Sequence, residues 1–554
     1  MKPVKSSLKS INSSNHDSPH DLHRSCKNNV SLISFPAEKP LLINYNAEKY
    51  IEDVNAFGLE NTWARILKHV QLNGCNDFLN PGNFGEMYEA GLAENDKHKK
   101  KRSGQYFTPS DVSNLMACWL SELKGTNICD VGCGTGNLIL SYLNQLEREA
   151  AISLIKEKRI YLFDYDHIAI TIAQYSIALV YGLEYLEDIN VVHGDFLNED
   201  IKIPRDSRVI SNPPYAKLEI ESSAWINSNI QSETRDLYAA FMEKIVLSSS
   251  SAVIITPYSF LGGSKFKELR NLLSKYNGFI VAFDNVPGNI FYGRKHGVFN
   301  TNTANSVRAA ITVVENIPDR EGFRITPLIR FRNEEREQLL TSEVLKNQLS
   351  GIYQRTNSKT PMFAKCHREL LECLDLWIAK SSITLKEFIS KSETDYTFFM
   401  PSTCRYFTTA SRKKLKRNGF YTISLTDSDR FNFLYCLINS SFAYWWWRVY
   451  DGGITYQVNL LNSLPIFYDL LSEDDKSFFS HTAYEMMSIE KEFIVTKLNA
   501  GSIQENIKFP KKYRSRINNR LLKILKCDIQ EETFNGVHKN SFFGKLKEND
   551  EDDE

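Results

Sequence analysis

Between about residues 104 and 320, short runs of β-branched and aromatic residues alternate with segments whose apolar positions recur at helical spacing. The runs Asn127–Val131, Ile160–Phe163, Ile189–His193, Val209–Ser211, Ala252–Thr256, Phe279–Phe283 and Val307–Val314 read as strands. Between them, Leu138–Leu146, Ile168–Tyr181, Leu237–Ser248 and Ser264–Tyr276 read as helices. Such alternation predicts an α/β domain, a doubly wound and mostly parallel sheet covered on both faces. In that architecture ligands bind at the carboxyl ends of the strands. The flanking pattern differs. Residues 1–45 are rich in Ser, Asn, His and Lys without periodicity and predict a flexible leader. Helical spacing from Tyr50 to Leu92 predicts a small helical layer over 46–103. Past 321 the alternation fades into aromatic, basic and Asn-rich segments, read as one further α+β domain over 321–540. An acidic tail, 541–554, closes the chain.

Composition narrows this picture only a little. With 554 residues and 42% hydrophobic content, the chain can build more than one core. No apolar run reaches membrane-spanning length, and the lysines near Met1 are not followed by an apolar stretch, so neither a membrane protein nor a secreted one is expected. The ten cysteines form no CxxC pair and no His/Cys cluster at zinc spacing, which fits reduced thiols in a cytoplasmic protein and offers no metal site. Net charge is zero, but basic clusters stand at Lys97–Arg102, Arg412–Arg417 and Lys511–Arg516. Charge runs are commonly solvated faces. Phosphate contacts need local rather than net positive charge, so a nucleic-acid partner is permitted.

The candidate chemistry lies in the alternating region. Asp130-Val131-Gly132-Cys133-Gly134-Thr135-Gly136 follows a predicted strand and opens a helix. Glycines at alternate positions let the backbone turn sharply and approach a ligand closely. Many nucleotide folds and ordinary turns carry such a loop. This spacing, with an acid ahead of it, fits S-adenosylmethionine better than a dinucleotide, because no pyrophosphate needs a helix N-terminus. Asp164 ends the next strand, where a carboxylate can accept both ribose hydroxyls. Asp166 is the alternative and suits a helix cap. Asp195, one unit later in His193-Gly194-Asp195-Phe196, can accept the cofactor's adenine amine while Phe196 stacks on its ring. Each acid alone would read as a cap; three in series, one βα unit apart, point to one cofactor.

Next comes Ser211-Asn212-Pro213-Pro214-Tyr215. A proline pair after a strand is often only a rigid turn. Here the prolines also fix the Pro213 carbonyl, and the Asn212 side chain supplies a second acceptor for the same NH₂ group. Tyr215 offers a flat face to a planar base. Because a ring-conjugated amine is a poor nucleophile, orientation and polarisation are what such a loop can contribute. Upstream, Gln105-Tyr106-Phe107-Thr108-Pro109 reads by itself as a turn into a helix starting at Ser110, with Thr108 or Ser110 as cap.

Taken together, these residues resemble the N6-adenine DNA methyltransferases of type II restriction–modification systems. The resemblance implies a Rossmann-like methyltransferase domain over 104–320 and a target-recognition, DNA-binding domain over 321–540. It assigns Tyr106, Phe107, Thr108 and Pro109 to the methionine end of S-adenosyl-L-methionine, and Asp130, Gly132, Gly134 and Gly136 to the first cofactor motif. Asp164 matches the ribose-binding acid, Asp195 with Phe196 the adenine-binding pair, and Asn212, Pro213, Pro214 and Tyr215 the catalytic motif. Asn at its head leans toward adenine over cytosine. Phe291 is the candidate second aromatic against the flipped base, with a core aromatic as the alternative. The segments Phe433–Ser440, Tyr444–Trp446 and Leu460–Pro465 look like target-recognition regions, and Gly293–Ser306 is similar to type IIS modification enzymes; Trp445–Trp447 also suit a core. The implied partners are double-stranded DNA and a cognate restriction endonuclease acting on the same site, the implied location the bacterial cytoplasm, and no metal is implied.

The loop alone specifies only a planar NH₂ acceptor, so RNA adenine and a protein glutamine amide are alternatives, as is an inactive DNA-specificity subunit. The long basic and aromatic region after the catalytic loop favours duplex DNA, whose target base has to be located and extruded.

Overall fold

A computed structural model describes residues 108–218, 228–285, 287–291, 307–317, 321–356, 361–404, 407–499, 502–531 and 542–543. The leader, the helical layer over 46–103 with its basic cluster at Lys97–Arg102, Tyr106, Phe107, Gly293–Ser306 and the tail beyond Phe543 lie outside the described residues.

The alternating region builds one eight-stranded sheet. Its strands are β1 (Asn127–Val131), β2 (Ile160–Asp164), β3 (Asn190–His193), β4 (Ser207–Ser211), β5 (Ser251–Pro257), β6 (Asn277–Ala282), β7 (Ala309–Glu315) and β8 (Phe323–Ile325). They lie in the order β3-β2-β1-β4-β5-β7-β6-β8. Pairing is parallel from β3 across to β5; β7 runs antiparallel between β5 and β6, and β8 pairs in parallel with β6. The expected doubly wound, mostly parallel α/β fold is therefore present.

Strand residues alternate between two cores, as burial on both faces requires. Ile128, Val253 and Ile255 face one cluster, which takes in α1 (Ser110–Ser121), α2 (Asn137–Leu143), α3 (Arg148–Lys156) and α4 (His167–Tyr181). Cys129, Ala252 and Ile254 face the other, which is covered by α5 (Asn229–Thr234), α6 (Leu237–Ser248) and α7 (Lys267–Leu273). The predicted helix over 264–276 is broken: a 3₁₀ turn, Ser264–Phe266, precedes α7. The helix predicted over 138–146 ends at Leu143.

The sheet's core runs past the expected boundary at 320, through β8 and on to Leu345; the later described residues form helices and short two-stranded ladders, in keeping with the α+β expectation. Their core contains Trp377 and all of Trp445, Trp446 and Trp447, none more than 4% exposed. The Trp377 and Trp445 rings stack with centroids 6.0 Å apart. The aromatic run is thus core, one of the two roles its sequence suits. This region meets the sheet at Asp284, just past β6. Its buried carboxylate takes Arg308 (2.8 Å), Arg330 (3.4 Å) and Arg448 (2.9 Å), the last from the helix Ser441–Tyr450 that carries the tryptophans. Among the described residues, no helix is long and apolar enough to cross a membrane.

Candidate active site at the carboxyl edge of the sheet

Parallel register brings the ends of four strands together. Val131 lies beside Phe163 and Ser211, and Asp164 beside His193. The Ser211 hydroxyl donates to the Val131 carbonyl at 2.6 Å, tying the exits of β1 and β4. The two loops singled out in the sequence leave the sheet from these adjacent exits.

The loop after β1 is shaped by its glycines. Gly132, Gly134 and Gly136 have φ of 70°, 53° and 84°, in the left-handed region that side chains disfavour. A Cβ on Gly136 would stand 2.9 Å from the Ala173 Cβ, so this glycine also lets α4 pack closely. A Cβ on Gly134 would meet nothing within 4 Å: that glycine looks onto open space. The Gly132 and Cys133 amides donate to the Phe163 carbonyl at 2.9 and 3.0 Å.

Asp130 lies beneath this loop, not on its open side. Its carboxylate is fully buried and accepts from the Ile139 amide at 3.0 Å, and burial pushes its pKa up to about 8. Asp164 stands at the loop's rim, where it accepts from the Gly134 amide (2.7 Å) and the Asp166 amide (2.8 Å). Burial raises its pKa, while those two amides pull the other way. Asp166 accepts from Ala169 at 3.2 Å, the capping contact read as its alternative role.

Asp195 accepts from the Leu197 amide at 3.0 Å after β3. Phe196 departs from expectation. Its ring is 3% exposed, packed against Phe163 and Phe241 with centroids at 5.9 and 5.0 Å, and the Lys244 ammonium lies 4.8 Å over it. The core claims this ring, which is not on the open face where the sequence expected it. Lys244 also donates to the Phe196 and Asn198 carbonyls at 2.6 and 2.7 Å, holding the segment that carries Asp195.

Asn212-Pro213-Pro214-Tyr215 leaves β4 directly beside the glycine loop: a Cβ on Gly132 would lie 3.7 Å from the Asn212 carbonyl oxygen. The Asn212 side-chain amide donates to the Thr108 hydroxyl at 2.9 Å, which fixes the orientation of the amide plane. Thr108 in turn accepts, through its carbonyl, from Asn137 at 2.6 Å. The helix that follows the glycine loop, the upstream turn and the Asn212–Tyr215 loop are therefore linked through Asn137, Thr108 and Asn212. Neither Thr108 nor Ser110 caps α1 through its side chain, as the sequence had suggested. The cap residue is Pro109, and the Thr108 hydroxyl is committed to Asn212.

The Tyr215 hydroxyl donates to the Ile255 carbonyl at 3.2 Å. Its ring meets that of Phe291 edge-to-face, with centroids 6.1 Å apart. The two residues proposed from sequence to flank a base are thus neighbours, although Phe291 is only 6% exposed and shares the core.

Two residues beside these groups were not anticipated. Tyr165, immediately after Asp164, is 78% exposed; an aromatic next to that acid was its available signal. Arg336 follows β8, and its guanidinium reaches both carboxylate oxygens of Asp111 in the first turn of α1. It also donates to the carbonyls of Asn289 (2.8 Å) and Ile290 (2.6 Å), which precede Phe291. No local pattern could have announced that contact. Among the described residues, no group of three or more His, Cys, Asp or Glu is placed to hold a metal.

Residues 80–307 match the model of the N-6 DNA methylase family. The chain is 30% identical over 196 residues to the type II methyltransferase M.BsuBI of Bacillus subtilis, covering 32% of this chain and 38% of that protein. It is 25% identical over 237 residues to the methylase subunit of the type I restriction enzyme MpnII of Mycoplasma pneumoniae, covering 38% and 41%. It therefore spans about two-fifths of the length of these relatives. Among solved structures, a nuclease-deletion mutant of the type ISP restriction–modification enzyme LlaGI with a DNA substrate mimic aligns over 82% of this chain and 68% of that one. The TM-score is 0.43, at 11% identity. The resemblance to N6-adenine DNA methyltransferases of restriction–modification systems, read first from the motifs, is shown by the family match and the curated relatives.

Proposed function

We propose that this protein transfers the methyl group of S-adenosyl-L-methionine to the N6 amine of an adenine flipped out of a specific double-stranded DNA sequence, protecting that site from a cognate restriction endonuclease. The observation that carries the reading is the abutment of the Gly132–Gly136 loop and the Asn212–Tyr215 loop, linked through Thr108.

The residues present fit the cofactor. Gly134 faces open space beside the Asp164 carboxylate, which is the cradle a Cβ would fill. In the proposed complex Thr108 and Pro109, with Tyr106 and Phe107, hold the methionine end, Asp164 accepts the ribose hydroxyls, and Asp195 with the exposed Tyr165 bounds the adenine. Asp130 and Phe196 shape their loops from the core. When bound, the cofactor supplies an electrophilic methyl group on sulfur.

The chain's own contribution is orientation. The Asn212 side-chain oxygen and the Pro213 carbonyl accept the two amine hydrogens, which directs the nitrogen lone pair and raises its electron density. Tyr215, anchored on Ile255, presents a ring to the base, and Phe291 braces that ring. The region 321–540 is proposed to read the DNA site.

The test is incubation with methyl-labelled cofactor and mixed duplex DNA, followed by digestion to nucleosides; label is expected in N6-methyladenine. Label on protein or RNA instead would overturn the reading.

A further inference from the structure

The strands Ile494–Asn499 and Ser502–Ile507 form an antiparallel hairpin at the far end of the chain from the methyl-transfer motifs. Its base is fixed. Ile507 is 3% exposed, the Glu505 carboxylate accepts from the Lys416 amide at 2.9 Å, and the Glu505 amide donates to the Lys416 carbonyl at 2.9 Å. Its far half is bare. Leu498 and Ile503 pair across the strands and are 70% and 65% exposed. Single exposed apolar residues are ordinary on a protein surface, but a cross-strand pair on the outer half of a ribbon is contiguous and normally costs solubility.

The surroundings say what the pair faces. Segments 411–418 and 490–512 together hold ten Lys or Arg against three Glu, in a chain whose net charge is zero. Of the three acids, Glu490 and Glu505 are buried and accept from backbone amides of 412, 413 and 416; Glu490 also accepts from the Tyr435 hydroxyl, and Glu505 pairs with Lys413 at 3.6 Å. Lys416, Lys497 and Lys508 are exposed. A local excess of positive charge therefore lies in the segments around this ribbon, in a chain that is neutral overall. A two-stranded ribbon, with strands about 5 Å apart, fits the major groove of B-DNA, whose apolar feature is the thymine methyl group.

We propose that the hairpin Ile494–Ile507 enters a groove of duplex DNA, its Leu498–Ile503 tip against base edges and the surrounding lysines on flanking phosphates. This rests on the methyltransferase reading above and names a surface through which the 321–540 region takes hold of its substrate.

The experiment uses the full chain and a fluorescent pool of random-sequence duplex DNA, with anisotropy titrations at several salt concentrations and adenine methylation measured on the same pool. L498S/I503S is expected to weaken binding about tenfold with the salt slope unchanged, because an apolar contact releases no counterions. K416Q/K497Q/K508Q is expected to lower the slope by about one unit per lost phosphate contact. Both variants change exposed side chains, and unaltered cofactor affinity confirms that the fold is intact. Wild-type protein that binds and methylates DNA, with L498S/I503S indistinguishable from it, overturns the hairpin proposal alone. A wild-type dimer that L498S/I503S dissociates while DNA affinity is unchanged overturns it too, assigning the tip to a second copy. Wild-type protein that neither binds nor methylates any duplex removes the methyltransferase reading and this proposal with it.

Discussion

Replacing Arg336 by alanine tests the idea that one side chain braces the acceptor side of the site. Its guanidinium satisfies the carbonyls of Asn289 and Ile290, residues 6% and 0% exposed, and pairs with Asp111, whose side chain is 39% exposed. Losing the donor to two buried carbonyls costs about 1–3 kcal/mol each, toward the low end because water can enter the space the side chain leaves. The Asp111 pair, half in solvent, adds roughly 0.5 kcal/mol. The sum is about 3 kcal/mol. For a domain of this size it corresponds to a fall of about 6–12 °C in the midpoint of the catalytic domain's thermal transition. Arg336→Lys restores the charge but not the planar fork, and is expected to recover less than half of the loss. Because Asn289 and Ile290 lead into Phe291 against Tyr215, kcat for methyl transfer should fall more than cofactor affinity. Differential scanning calorimetry with cofactor titration reads the thermal shift and the affinity, and initial rates of labelled methyl transfer read kcat. A thermal shift under about 1 °C for Arg336→Ala would refute the reasoning.

Other predictions follow from the same geometry. Asp130→Asn keeps an acceptor for the Ile139 amide without a charge to bury. Since the native pKa is raised from 3.8 to about 8, the unfolded chain releases the proton first, and wild-type stability is lost as pH rises between those values. The stability advantage of Asp130→Asn should therefore grow from pH 4 to pH 8 and level off above; denaturant titrations showing a constant difference would contradict it. Asp284 is held down to about 2 by three arginines, so Asp284→Asn should cost about 3–5 kcal/mol at neutral pH by leaving buried guanidiniums uncompensated, measured by chemical denaturation. Gly136→Ala puts a Cβ 2.9 Å from that of Ala173 at φ +84°. It should destabilise by about 1–3 kcal/mol and weaken cofactor binding, read by calorimetric titration. Asn212→Ala should abolish methyl transfer while leaving cofactor affinity within a few-fold; equal loss of both would misplace its role.

The sheet was legible because strands buried on both faces are short, β-branched runs, and seven of the eight stood out. The eighth, Phe323–Ile325, is three residues long and carries an arginine in the middle, so no period could show it. The helix Arg148–Lys156 was missed because its buried face is narrow, with only Ala151 and Ile155 inside. Loop residues at strand ends were legible by type and spacing. Their depth was not: Phe196 sits in the core because Phe241 and Lys244, a helix away in sequence, close over it. Arg336 with Asp111, and Asp284 with Arg448, are contacts between distant segments, which side-chain identity alone does not announce. The Trp445–Trp447 run was ambiguous between core and surface until the packing of Trp377 decided it.

In the proposed function, two adjoining loops bring a sulfonium methyl group to an adenine amine in DNA. The most direct measurement is mass spectrometry of nucleosides from duplex DNA treated with the purified protein and S-adenosylmethionine. N6-methyladenine that disappears with Asn212→Ala is the predicted result. N4-methylcytosine, or unmodified DNA with methyl groups on protein or RNA, would contradict it.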